Sequence, residues 1–497
     1  MKKVLIFFLI SVFPALLYAQ EKDPWQPLQQ EAKKHLTRLL KIDTSLSNPD
    51  EIAAARYLYK QFNKHHIDWD IFIPAPGRAN LLARIKGTDP TQKPLLLISH
   101  LDTTPVQEGW TIPPFQATEK DGKIYGLGAT DAKNYTAAYT ALFTWLADQP
   151  QRPVRDIIFL ATSGEESGSD TGLRWLGKNH WAQINPGFAL NEGGGIIKDK
   201  EGADIVFAEA ATKQYMDIKI TALGTEGHSA IPTENNAVYH LSQALAKLEN
   251  FNTPARVTAP ARTLLNAILP LQDEDGKTTI NMLLHDEHAQ NRQNAAELMA
   301  QDPFFKTQLK DTLNPTQVSS PADTGSISAS ASAIINVRLL PGTDPDEFFT
   351  SLQQLFDADE NIVLEMVERP QTPAPAPQDG TDPLFASIQK TADKLLPGAI
   401  TVPGLSPASS ESELLRKLGV ITYGLGPDMN PLETNTAHTA DEFISEADFY
   451  NQLKFLAGVV FDFAYGKDLL PLAVAASAPK TQPSTQDTSA LKTAQSN

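Results

Sequence analysis

The chain has 497 residues, 41% hydrophobic and 20% charged, with a formal net charge of -17 at pH 7 and no cysteine. That length exceeds what one hydrophobic core usually serves, so at least two domains are expected. The acidic balance repels phosphate backbones and excludes nucleic acid as an expected partner, and the lack of thiols excludes disulfides, thiolate metal sites and a lipidated cysteine anchor.

In chain order, residues 1–19 read as a signal peptide. Lys2 and Lys3 form a positive n-region, residues 4–17 are nearly all apolar, and Leu17-Tyr18-Ala19 suits a signal peptidase. The apolar stretch is short for a membrane span, so cleavage after Ala19 and a secreted or periplasmic product without a stable membrane anchor are expected. Residues 28–42 put Leu28, Ala32, Leu36, Leu39 and Leu40 on one helical face. A second helix should start near Asp50, after Ser47-Asn48-Pro49, and run to about Asn63. Apolar runs of strand length follow at 95–98, 157–161, 188–190 and 420–423, with a helix over about 135–147 between the first two. Strands alternating with helices predict an α/β sheet covered on both faces.

Near Met216 the pattern changes. Residues 216–220 alternate like a half-buried strand, 333–339 are a second candidate, and helical stretches such as 237–248 lie between. The expectation is an α+β domain over 216–343 inserted into an α/β domain formed by 20–215 and 344–470. Residues 369–383 are a proline-rich loop. Residues 471–497 are aperiodic and rich in Ala, Ser, Thr, Pro and Gln, which predicts a disordered tail.

Metal-competent residues recur just past the carboxyl ends of the expected strands, the edge where open α/β sheets bind ligands. His100 and Asp102 follow the first run, Glu165 and Glu166 the second, Glu192 the third and His438 the last, while Asp131 sits in the turn Gly126-Leu-Gly128-Ala-Thr before a helix. Each alone has an ordinary reading: a hydrogen-bonded histidine, a solvated glutamate pair, a turn aspartate, a helix cap. Together, two imidazoles and several carboxylates without thiolate form a donor set for catalytic zinc, cobalt or manganese. Five donors exceed what one zinc needs, which suggests two ions sharing one carboxylate. A further carboxylate would take the proton of water.

These segments resemble metallopeptidase family twenty, the dinuclear-zinc hydrolases that include carboxypeptidase S, carnosinase, aminoacylase and bacterial dipeptidases. The resemblance runs from about residue 25 to 465 and implies a zinc-peptidase-like α/β sandwich catalytic domain with an inserted α+β lid and dimerisation domain. Leu96-Leu-Ile-Ser-His100-Leu-Asp102-Thr-Thr-Pro105-Val is similar to the first motif, implying His100 as ligand and Asp102 as its orienting partner. Gly126-Leu-Gly128-Ala-Thr-Asp131-Ala-Lys133 implies Asp131 as the ligand bridging two Zn2+ ions, with a cis peptide to Ala132. Glu165-Glu166 implies Glu165 as general base and Glu166 as ligand, and Glu192 and His438 complete the set. In the lid, Gly224-Thr-Glu-Gly227-His228-Ser-Ala-Ile-Pro232 implies an oxyanion-stabilising His228, often supplied by the partner of a homodimer. Asn336-Val-Arg338-Leu-Leu-Pro341-Gly342 implies a substrate-binding Arg338. His35, His65, His66, His180, His240, His285 and His288 match no motif.

The chain departs from the family pattern twice. Gly325-Ser-Ile-Ser328 stands where many relatives have Asn-Val-Ile-Pro, and Ser410-Glu411-Ser412-Glu413 where relatives often read Thr-Asp-x-Arg. The second change removes a positive charge and adds a negative one, favouring short peptides with a free amino terminus. The implied activity is hydrolysis of an amide in dipeptides, peptide termini or N-acyl amino acids. A biosynthetic deacylase or desuccinylase is the rival that an export signal disfavours. A non-catalytic envelope binding protein is disfavoured by the intact base and ligands.

Overall fold

The computed structural model describes residues 23–198, 202, 204–321, 323–370, 375–426 and 436–466. The expected signal peptide and tail lie outside them. Among the described residues, no helix is long and apolar enough to cross a membrane.

A nine-stranded sheet forms the centre. Its path runs Asp68–Ala75, Arg78–Ile85, Ile157–Thr162, Leu95–His100, Phe188–Asn191, Ile421–Gly424, Asp204–Thr212 and Ile400–Ser406, with Gly195–Lys198 paired to Asp204–Thr212. The four strands expected from apolar runs are mutually parallel and adjacent. Both faces are buried, as parallel strands require. Leu95 and Leu97 point into a core shared with helices Gln26–Leu40, Glu51–Lys64, Lys133–Ala147, Pro383–Leu395 and Glu446–Tyr465. Leu96 and Ile98 point into the opposite core, with Leu173, Leu176 and Leu415 from shorter helices. The α/β sandwich is therefore the observed architecture. Asp50 caps its helix, its side chain accepting the N–H of Ala53. The strand expected to stop at Ile98 continues to His100, which makes that histidine the last residue of a fully buried strand.

A four-stranded antiparallel sheet forms a second unit, in the order Thr312–Ser319, Ser330–Leu339, Gln214–Leu223 and Ile362–Glu368. One face packs on helices Ala237–Glu249 and Pro345–Gln354 through Leu241, Phe348 and Leu352. The boundary expected at residue 343 falls inside this unit, because Phe348 through Ile362 belong to its core. The middle of the expected insertion also lies elsewhere. Helices Ala259–Ile268, Glu274–His285, Ala289–Met299 and Pro303–Leu309 pack on Ile205, Phe207 and Val402 of the large sheet, not on the small one. Among the described residues, the chain thus passes between the two units four times, near Lys213, Thr253, Asp311 and Pro370. Three crossings are joined: Lys213 Nζ donates to the Lys310 carbonyl at 2.6 Å and to Thr312 Oγ1 at 3.3 Å, and Thr253 Oγ1 donates to the Asp311 carbonyl at 2.7 Å.

Candidate active site

The parallel strands deliver their carboxyl ends to one edge, where six side chains converge. His100 Nε2 lies 3.0 Å from Asp131 Oδ1 and 3.3 Å from Glu192 Oε2. His438 Nε2 lies 3.1 Å from Asp131 Oδ2 and 3.3 Å from Glu166 Oε1. Two groups of metal-competent residues result, His100–Asp131–Glu192 and Asp131–Glu166–His438, the donor atoms of each lying within 4.8 Å of one another. Asp131 belongs to both, one oxygen facing each. No other histidine of the described residues joins either group.

Local structure explains the aim of each group. Asp131 leaves a turn built around Gly128, whose φ of +89 favours glycine and where a Cβ would lie 2.8 Å from Thr103 Cγ2. Glu442 closes that turn, accepting the N–H of Gly128 at 2.9 Å and of Thr130 at 2.8 Å. The Asp131–Ala132 peptide is cis. His438 adopts a left-handed backbone with φ +60, a conformation uncommon outside glycine and concentrated at functional sites. Asp102 is fully buried; its Oδ1 and Oδ2 accept the N–H groups of Glu165 and Glu166, each at 3.1 Å. His100 Nδ1 lies 2.9 Å from the Asp102 carbonyl and 3.6 Å from its Oδ1.

The electrostatics are those of an acidic nest. Burial opposes charge on His100, yet Glu192, Asp102 and Asp131 outweigh it and hold its pKa well above the ordinary value. Asp131 and Glu166 raise that of His438 to about 11. Burial pushes the Glu165 carboxyl well above its usual range, and Glu192, Glu166 and Asp131 push it further. Glu166 Oε1 is buried, facing His438 Nε2 at 3.3 Å. Four carboxylates around two imidazoles, their donor atoms gathered into two groups that share Asp131, fit a pair of divalent cations.

The open face of the small sheet looks across the cleft at this cluster. Arg338 stands there, its guanidinium 4.8 Å from the Tyr215 ring centroid, with Nε donating to Asn336 Oδ1 and Nη1 to Ser409 Oγ, each at 3.0 Å. Three expected residues behave differently. His228 is exposed, on the short strand Gly227–His228, and is absent from the cleft lining; its Nδ1 accepts the Ala230 N–H at 3.1 Å. Its partner strand, Ser326–Ile327, is the segment where the chain departs from Asn-Val-Ile-Pro. Glu413 lines the cleft but is paired with Lys417 at 2.7 Å, so the added negative charge is offset and the expected preference for a substrate ammonium loses its basis. Glu411 points away into the sandwich, accepting from Thr162 Oγ1 at 2.7 Å and the Leu173 N–H at 3.2 Å.

Sequence reasoning missed Tyr135 and Tyr215 on the cleft wall and Glu209 beneath it. A single glutamate inside the apolar run 205–211 was the available signal for Glu209.

Residues 96–462 match the model of Peptidase family M20/M25/M40. The chain belongs to that family. The M20 relatives include mouse N-fatty-acyl-amino acid synthase/hydrolase PM20D1, 25% identical over 396 residues, covering 78% of this chain and 76% of the relative. A probable succinyl-diaminopimelate desuccinylase of Staphylococcus aureus (strain MSSA476) is 29% identical over 422 residues, covering 84% and 93%. Human carnosine dipeptidase 1 superposes with a TM-score of 0.65 at 15% identity over 88% of this chain and 98% of that one, which speaks for the shared M20 fold.

Proposed function

We propose that this chain is an exported M20 hydrolase that cleaves an amide bond of a dipeptide, a peptide terminus or an N-acyl amino acid with two zinc ions bound. Export rests on residues 2–19. One observation carries the metal reading: the two oxygens of Asp131 each face a separate histidine, at 3.0 and 3.1 Å. His100 and Glu192 would hold one ion, Glu166 and His438 the other, with Asp131 between them. When bound, such a pair supplies Lewis acidity that activates water and polarises a carbonyl. Glu165, beside the proposed ligand Glu166 and lining the cleft, takes the proton of the attacking water and returns it to the leaving nitrogen. Arg338, the guanidinium facing the acidic cluster, would pair with a substrate carboxylate through two parallel hydrogen bonds.

His228 does not line the cleft of its own chain, which supports a role in the cleft of a second copy. Mixing inactive His228→Ala with inactive Glu165→Gln should then restore activity in mixed dimers. No recovery despite subunit exchange would remove His228 from the mechanism.

The reading is tested by metal analysis and by hydrolysis of a panel of dipeptides, N-acyl amino acids and N-succinyl amino acids, with and without zinc. Two ions per chain and metal-dependent amide cleavage are expected. Turnover confined to N-succinyl substrates would favour a desuccinylase, the activity named for the Staphylococcus aureus relative.

A further inference from the structure

Beneath the acidic cluster lies a charged pair that the hydrolytic mechanism does not use. Glu209, on the strand Asp204–Thr212, and Arg416, on the helix Glu411–Lys417, form an ion pair in which each side chain is only 1% exposed. Arg416 Nη2 donates to Glu209 Oε1, to the Glu209 carbonyl at 3.2 Å and to the Thr422 carbonyl at 3.0 Å. Ser412 Oγ donates to Glu209 Oε2 at 3.3 Å and accepts from Asn191 Nδ2 at 3.0 Å. Burial pushes the Glu209 carboxyl upward, against the pull of Arg416. Removing two charges from water is costly, and apolar side chains of similar volume would often hold a core as well.

The location of the pair is informative. Glu192 stands in the turn Asn191-Glu192-Gly193-Gly194 that leaves the strand Phe188–Asn191. Gly193 has φ +103, and a Cβ there would lie 2.6 Å from Glu209 Oε2. A Cβ on Gly424, in the adjoining strand, would lie 2.7 Å from the same oxygen and 2.2 Å from the Glu192 carbonyl oxygen. The turn therefore rests directly on the Glu209 carboxylate. Asn191, the residue before Glu192, is tied to that carboxylate through Ser412.

We propose that Glu209 and Arg416 are a positioning pair that sets the Glu192 carboxylate opposite His100, so that they govern one of the two metal positions and not the other. The inference rests on the reading of Glu192 as a ligand. It also gives a use to the helix that carries the departure at 410–413: Arg416 lies about one helical turn beyond Glu413, and its charge is directed inward.

Zinc titration against a competing chelator, with metal counted per chain, tests the pair. Wild type should bind two ions; if it does not, the metal reading itself fails. In Glu209→Gln/Arg416→Met, which removes both charges together, one ion should bind about 10–100-fold more weakly while the other keeps its affinity. Ser412→Ala should show a smaller loss at the same position, and it decides the matter if the double variant does not fold. Thermal unfolding of the metal-free proteins provides the control. Two ions bound with wild-type affinity would overturn the proposal. So would equal weakening of both positions accompanied by a lower metal-free unfolding temperature, the signature of a general packing role.

Discussion

Asp102 Oδ1 accepts the backbone N–H of Glu165 at 3.1 Å. Its other oxygen takes the next N–H, that of Glu166, so a single buried carboxylate seats the proposed base and a proposed ligand side by side. Replacement by Asn substitutes a donor for one acceptor and leaves one N–H facing an N–H. Asp102→Asn should lower metal affinity and kcat together, each by about 10–100-fold. Chelator titration and steady-state kinetics check this; a change in kcat alone would confine Asp102 to placing the base.

Asp131 is shared by both groups of donors. Asp131→Ala should weaken both metal positions, seen as loss of more than one ion per chain in metal analysis after mild dialysis. Clean loss of a single ion would mean that one oxygen of Asp131 carries no load.

The adjacent glutamates should separate. Glu165→Gln leaves every proposed donor in place, so metal content should match wild type while turnover falls by about 10²–10⁴-fold. Glu166→Gln should lose metal. Exchanged phenotypes would reverse the two assignments.

Arg338→Ala should raise KM at least about tenfold for substrates ending in a free carboxylate and leave amidated counterparts little changed. Equal effects on both would show that Arg338 serves the cleft wall through Asn336 and Ser409 and does not read the substrate.

Glu411 supplies a pH dependence. Burial raises its carboxyl from the ordinary 4.5 to about 7. The native state therefore holds a proton that the unfolded chain gives up first. The contribution is fully present below pH 4.5 and is lost as pH rises through 7, a change of roughly 3 kcal/mol. Glu411→Gln keeps the neutral form at all pH values. In the metal-free protein, its unfolding temperature relative to wild type should climb between pH 5 and pH 8. A constant difference would place the proton elsewhere.

The proposed ligands and base were legible in the sequence for a local reason. Each of His100, Glu166 and Glu192 lies within a few residues of an apolar run, and a parallel sheet aligns the ends of such runs along one edge. Longer-range pairings were not legible. The apolar stripe of residues 259–268 shows that this helix has a buried face, but not that Leu264 and Leu265 meet Phe207 of the large sheet. Glu209 and Arg416 are separated by 207 positions, and no periodicity joins an isolated charge to its counterpart. Lys417, four residues beyond Glu413, was readable as its helical partner once the helix Glu411–Lys417 was recognised.

The hydrogen bonds that join Lys213, Thr253 and Asp311 set where the small unit can turn. A rotation of that unit about this stapled corner would leave the residues beside it nearly in place. Arg338 pairs in register with Tyr215, two residues past Lys213 and close to that corner. The far end of the ten-residue strand Gln214–Leu223 stands roughly 30 Å away. A swing of about 10° would carry that end roughly 5 Å while leaving Arg338 nearly still. The loop bearing His228 leaves from that far end, so such a swing would carry the histidine along an arc while the proposed grip on a substrate carboxylate stayed at a fixed point.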